Sequence, residues 1–128
     1  MKYPHFKNIL VPGPPGLKAE FKRQGFNVDV NTFDRTKTSF SIDDFDKMDT
    51  GESDPKTKID AVIASTDTDF NFYRECFMSL AVQRGAKLIS THGDNVWKTK
   101  NGSLPGGGII GKMLAMATKT ELEIISKP

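Results

Sequence analysis

The chain has 128 residues, of which 37% are hydrophobic and 27% charged, enough for one soluble domain with a single core. Its 18 Lys and Arg against 16 Asp and Glu leave a formal charge of +2, too small and too mixed for a nucleic-acid-binding face. No apolar run approaches the roughly 20 residues of a membrane span, and no apolar stretch follows Met1–His5 as a secretory signal requires. One cysteine, Cys76, and two histidines exclude a disulfide scaffold and a structural zinc site. The expected compartment is therefore reducing and cytoplasmic, with neither nucleic acid nor membrane as partner.

Asn8 to Val11 is a short apolar run ended by the turn Pro12-Gly13-Pro14-Pro15-Gly16. Leu17 to Gln24 has helical spacing with Gly25 at its C-terminal cap, and Phe26 to Val30 alternates as a strand. Asn31 to Lys58 is rich in Asp, Thr, Lys and Ser. Short alternations there, such as Phe33 and Thr38 to Ile42, suggest a strand or a partial helical turn, and Lys47 to Lys58 reads as an exposed connection. Ile59 to Ala64 is a continuous buried strand, and Asp69 to Arg84 a helix with Phe70, Tyr73, Phe77, Leu80 and Ala81 on one face. Gly85 caps that helix, and Lys87 to Ser90 is the next strand. Val96 to Leu104 is a loop or hairpin around Asn101-Gly102. Ile109 to Thr118 is a helix with Ile109, Met113, Met116 and Ala117 on its apolar side, and Leu122 to Ile125 is a last strand. Strands alternating with helices predict a single α/β domain over residues 1–128, a mainly parallel sheet flanked by helices.

Several segments carry possible chemistry. Gly106-Gly107-Gly108-Ile109-Ile110-Gly111-Lys112 has the spacing of a phosphate-binding loop. Met113 stands where such a loop needs Ser or Thr for Mg²⁺, and no apolar strand launches it, so the glycines are expected to make a tight helix entry. Asp67-Thr68-Asp69 follows a strand and has the carboxylate spacing of a nucleophile or metal motif, but a helix N-cap is the simpler use. Thr91-His92-Gly93-Asp94 lies just past another strand, where open α/β sheets gather ligands, and is equally readable as a polar turn. Trp97 in the following loop is either a ligand contact or local packing. Cys76 falls near an apolar helix face and is expected to be an inert thiol.

From Asp60 to Pro128 these pieces run in one order: Ala61-Val62-Ile63, Asp67-Thr68-Asp69-Phe70-Asn71-Phe72-Tyr73-Arg74, Thr91-His92-Gly93-Asp94, Gly102-Ser103-Leu104-Pro105-Gly106-Gly107-Gly108 and Ile124-Ile125-Ser126-Lys127-Pro128. The series resembles the cap domain of haloacid dehalogenase-like hydrolases, in the nitrophenylphosphatase and phosphoglycolate phosphatase branch. That branch reads V-V-V-G-x-D-x-x-F-x-Y-x-K, T-N-x-D, G-x-x-P-G-x-G and V-G-K-P. Asn8 to Phe21 is similar to the strand, turn and helix that open the family's cap, whereas Asn31 to Lys58 has no counterpart. His92 replaces the Asn of T-N-x-D, Lys98 the proline of the next loop, and Ser126 the Gly before the lysine.

The resemblance implies the substrate-specificity cap of a Mg²⁺-dependent phosphomonoester phosphatase that acts through an aspartyl-phosphate. The family's D-x-D-G nucleophile motif does not occur in the chain, so the resemblance implies a fragment whose catalytic core, with the Mg²⁺ ligands, lies elsewhere in a longer protein. Lys127 matches the family's catalytic lysine, and His92, Asp94, Trp97 and Lys98 are the expected substrate-binding residues. The implied partners are a phosphorylated small molecule, the missing core and a second copy of the enzyme bound through the cap. The alternative is a stand-alone, non-catalytic α/β binding or interaction domain. Sequence beyond both ends of the chain distinguishes the two.

Overall fold

Ala61–Ala64 (β3) is buried at every position because it runs through the middle of a parallel sheet and packs on both faces. The computed structural model describes residues 5–125. The other elements are β1 (Asn8–Leu10), α1 (Pro15–Arg23), β2 (Asn27–Val28), α2 (Ile42–Asp46), α3 (Phe72–Gln83), β4 (Lys87–Ser90), β5 (Val96–Thr99), β6 (Gly102–Pro105), α4 (Ile109–Thr118) and β7 (Glu123–Ile124). Five strands form one parallel sheet in the order β2-β1-β3-β4-β7, and β5 and β6 form a separate antiparallel hairpin. Leu10, Val62, Ala64 and Leu88 pack under α3 and α4 with Tyr73, Phe77 and Leu114. Ile9, Val11, Ala61, Ile63 and Ile89 face the opposite way, with Phe21 and Leu17 of α1. The alternation along each strand thus divides the core into two layers.

The mainly parallel α/β fold expected from the sequence is present, with differences at particular elements. β2 stops at Val28 because Asp29 takes φ +53° and Val30 is exposed. Asp29 then turns its carboxylate back onto the neighbouring strand, where Oδ1 accepts the N–H of Val11 at 2.8 Å. The N-cap of α3 is Asn71, whose side chain accepts from the N–H of Arg74; the helix begins three positions later than Asp69. Helix α4 has the expected bounds but a different buried side. Leu114 is fully buried and Met116 is exposed, because Gly111 seats the helix against Ser90, where a Cβ would stand 3.0 Å from the serine Cβ. In the hairpin, Thr99 pairs with Gly102, so Lys100-Asn101 forms the turn.

The polar segment from Asn31 to Lys58 is more ordered than its composition suggests. Phe33 is buried edge-on against Phe77, and Phe40 stacks edge-on with Phe45 and Phe72. Ser41 and Asp44 form a reciprocal capping box that starts the short α2. The expected exposed connection Lys47–Lys58 buries Met48, Thr50 and Gly51. The Asp49 carboxylate accepts the N–H groups of Gly51 and Glu52, while Arg84 reaches over from beyond α3 to Thr50 and Glu52. Short-range side-chain to backbone bonds supply the order that apolar area alone would not.

Candidate functional site

The carboxyl ends of the parallel strands all lie on one edge of the sheet. From β1 the chain moves outward to β2, and then crosses to β3 on the other side of β1. The sheet therefore changes direction between β1 and β3, the position at which open α/β sheets form a crevice. Along this edge run three adjoining cavities of about 330, 260 and 260 Å³, and Thr66 lines each of them.

His92, Asp94, Trp97 and Lys98, the four residues expected to bind substrate, all line one of the 260 Å³ cavities, together with Gly106 and Gly107. All four are exposed. They converge because the loop after β4 is tied to the entry of α4. Gly106 N–H donates to Asn95 O at 2.9 Å, Gly108 N–H donates to Asp94 O at 2.8 Å, and Ser90 Oγ donates to His92 O at 2.7 Å. A side chain at Gly106 would place its Cβ 2.4 Å from Asp94 O, so the glycine is required for this approach. Trp97 sits opposite Leu104 across the hairpin, and the two remain 55% and 46% exposed, which removes the packing role considered for Trp97.

The glycine-lysine run is not a phosphate cradle. Lys112 Nζ donates to Gly93 O at 2.7 Å and also contacts the Asn95 side chain, so the lysine closes a loop. The N–H groups of Gly106 and Gly108 are likewise committed to that loop. Asp67 is not the N-cap of α3, although its Oδ1 accepts the N–H of Asp69 at 3.0 Å and so caps the turn before the helix. Both its oxygens accept from Arg74 Nη1, at 3.1 and 2.9 Å, with the two side chains only 5% and 7% exposed. Among the described residues no three His, Cys, Asp or Glu side chains converge as a metal site. Cys76 is half-buried, and burial raises its thiol pKa, with a smaller contribution from Glu75, keeping it protonated and unreactive at neutral pH. Lys127 lies outside the described residues.

The sequence-based reading missed the 330 Å³ cavity on this edge of the sheet. It is lined by the Pro12–Pro15 turn, Lys18, Arg35, Thr66–Asp69 and Arg74. Lys18 contacts Val11 O and the Asp29 carboxylate, and Arg35 Nη2 lies 3.0 Å from the same carboxylate. Burial lowers the pKa of Lys18, partly offset by Asp29. No spacing in the sequence brings Lys18, Arg35 and Arg74 together; the placement of β3 beside β1 and the folding of Asn31–Lys58 over α3 do so.

No family model matches the chain. A 5'-nucleotidase of Bacillus subtilis, YutF, is 33% identical over 69 residues, which is 54% of this chain and 27% of that protein. An acid sugar phosphatase of Staphylococcus epidermidis is 34% identical over 70 residues, 55% of this chain and 27% of that protein. A thermostable NPPase of Geobacillus stearothermophilus superposes on 99% of this chain with a TM-score of 0.70 at 25% identity, using 40% of its own length. The chain is related to the haloacid dehalogenase-like phosphatases. It spans about a quarter of the length of the curated relatives and 40% of the NPPase. A glycerol phosphate phosphatase of Mycobacterium tuberculosis, solved in complex with magnesium, shares the fold at 21% identity and TM-score 0.70, covering 95% of this chain and 30% of its own. Among the described residues no helix is long and apolar enough to cross a membrane.

Proposed function

We propose that this chain is the substrate-facing cap of a Mg²⁺-dependent phosphomonoester phosphatase whose catalytic core lies outside the 128 residues. The observation that carries the reading is the convergence of His92, Asp94, Trp97 and Lys98 on one cavity at the carboxyl edge of the sheet. An exposed indole beside a lysine offers a stacking surface and a positive charge to the organic part of a phosphorylated small molecule. The relatives named as a nucleotidase and a sugar phosphatase support phosphomonoesters as the substrate class. In this reading the core forms and hydrolyses the aspartyl-phosphate with Mg²⁺, Lys127 steadies the charge, and the cap excludes water and reads the leaving group. The exposed hairpin is also where a second copy would pair through the cap.

The chain by itself is expected to show no turnover of nitrophenyl phosphate with Mg²⁺, since no aspartate in it combines the nucleophile motif with a metal site. Steady hydrolysis abolished by Asp67→Asn would overturn the cap assignment. In the full-length enzyme, Trp97→Ala is expected to change discrimination among phosphomonoesters by roughly tenfold, about 1.4 kcal/mol, with the phosphoryl chemistry intact. The measurement is kcat/KM for several substrates. A uniform slowing across all of them would assign Trp97 to cap–core or cap–cap contact instead.

A further inference from the structure

We infer that the crevice between the carboxyl ends of β1 and β3 binds a small oxyanion, a phosphate or a carboxylate group, held by Arg74, Arg35 and the first turn of α1. This goes beyond the cap reading and does not depend on it, because every group invoked belongs to this chain. The crevice measures about 330 Å³, the size of a small-metabolite pocket. Its floor is set by Gly13, where a Cβ would stand 3.2 Å from Ser65 Cβ and 3.3 Å from Thr66 O, so the turns after β1 and β3 are in close contact.

The cations are arranged for an acceptor the protein does not provide. Arg74 is 5% exposed and lines the crevice, with its guanidinium 4.8 Å from the Phe33 ring centroid. Asp67 occupies Nη1 alone, while among the described residues Nε is a buried donor with no acceptor and Nη2 has no hydrogen-bond partner. Nε and Nη2 form one edge of the guanidinium, the two-donor fork that matches a carboxylate or phosphate. Arg35 enters the same crevice from the Asn31–Lys58 crossing and shares the Asp29 carboxylate with Lys18. One acid thus faces two cations there. Pro14 and Pro15 open α1 with no side-chain cap and no acid in the first turn, and the Gly16 N–H has no acceptor. The positive end of the helix therefore adds to the two arginines. Among the described residues Asp69, exposed at the rim, is the one acid lining the crevice with no ion pair, and it opposes an incoming anion.

The test is an NMR titration of the 128-residue chain with inorganic phosphate, and in parallel with acetate, at constant ionic strength. Saturable shifts of the Arg74 Nε–H and Gly16 amide signals are expected. Whichever anion saturates at the lower concentration identifies the group recognised. Arg35→Ala, at a side chain that is 42% exposed, should weaken binding roughly tenfold. Asp69→Asn should tighten it, and Trp97→Ala should leave it unchanged. Shifts that rise without saturating, that persist equally in Arg35→Ala, or that centre on the Trp97 hairpin would overturn the proposal. None of these outcomes bears on turnover by the full-length enzyme, so the two readings fail separately.

Discussion

Asp67→Ala is expected to destabilise the fold by about 3–5 kcal/mol, the usual effect of leaving one partner of a buried ion pair behind. Both side chains are almost completely buried, so Arg74 keeps its charge with little access to water, and Nη1 now lacks an acceptor as Nε already does. Against a typical total of about 5–15 kcal/mol, that is a large share of the stability. Arg74 is fixed from other sides as well: its backbone N–H is taken by the Asn71 cap and its guanidinium lies over Phe33. The side chain is therefore not free to swing into solvent and recover its hydration. Urea denaturation followed by circular dichroism measures the loss. The double variant Asp67→Ala/Arg74→Met should recover most of it, because an apolar side chain of similar length removes the orphaned charge. A loss below about 1 kcal/mol in the single variant would show a pair behaving as if exposed.

The second large effect is expected at Gly51. Its φ of +115° is one that L side chains rarely adopt, and a Cβ there would lie 2.2 Å from Lys58 Cα and 2.7 Å from Lys58 N. Gly51→Ala must therefore separate the Asp49–Ser53 turn from the segment that leads into β3, breaking the bond from Ile59 N–H to Thr50 O. A cost of about 2–4 kcal/mol is expected, from backbone strain plus lost packing of Met48. Gly25 provides the control. It has φ +100° but nothing within 4 Å of its added Cβ, so Gly25→Ala should cost only about 1 kcal/mol. Equal losses at the two positions in a denaturation series would mean that conformation alone, and not the close contact with Lys58, sets the cost.

Much of the architecture could be read from residue order. The apolar runs and caps located β1, β3, β4, α3, α4 and the hairpin, because each depends on local periodicity and on glycines at Gly25 and Gly85 whose φ is positive. The grouping of His92, Asp94, Trp97 and Lys98 was also accessible, since the four are near neighbours in the chain just after a strand end. What the sequence did not reveal arises between distant segments. Ser41 and Asp49 order a polar stretch through bonds that composition does not count, and Gly111 turns α4 so that Leu114 and not Met116 is buried. Asp67 reads as a cap or a nucleophile until Arg74 is seen to occupy both its oxygens. The crevice that gathers Lys18, Arg35 and Arg74 depends on β3 crossing past β1, and on the Asn31–Lys58 segment folding over α3. Local spacing determines which segments become strands and helices. Which charged side chains end up buried together is decided by tertiary packing, because desolvation and pairing act across space and not along the chain.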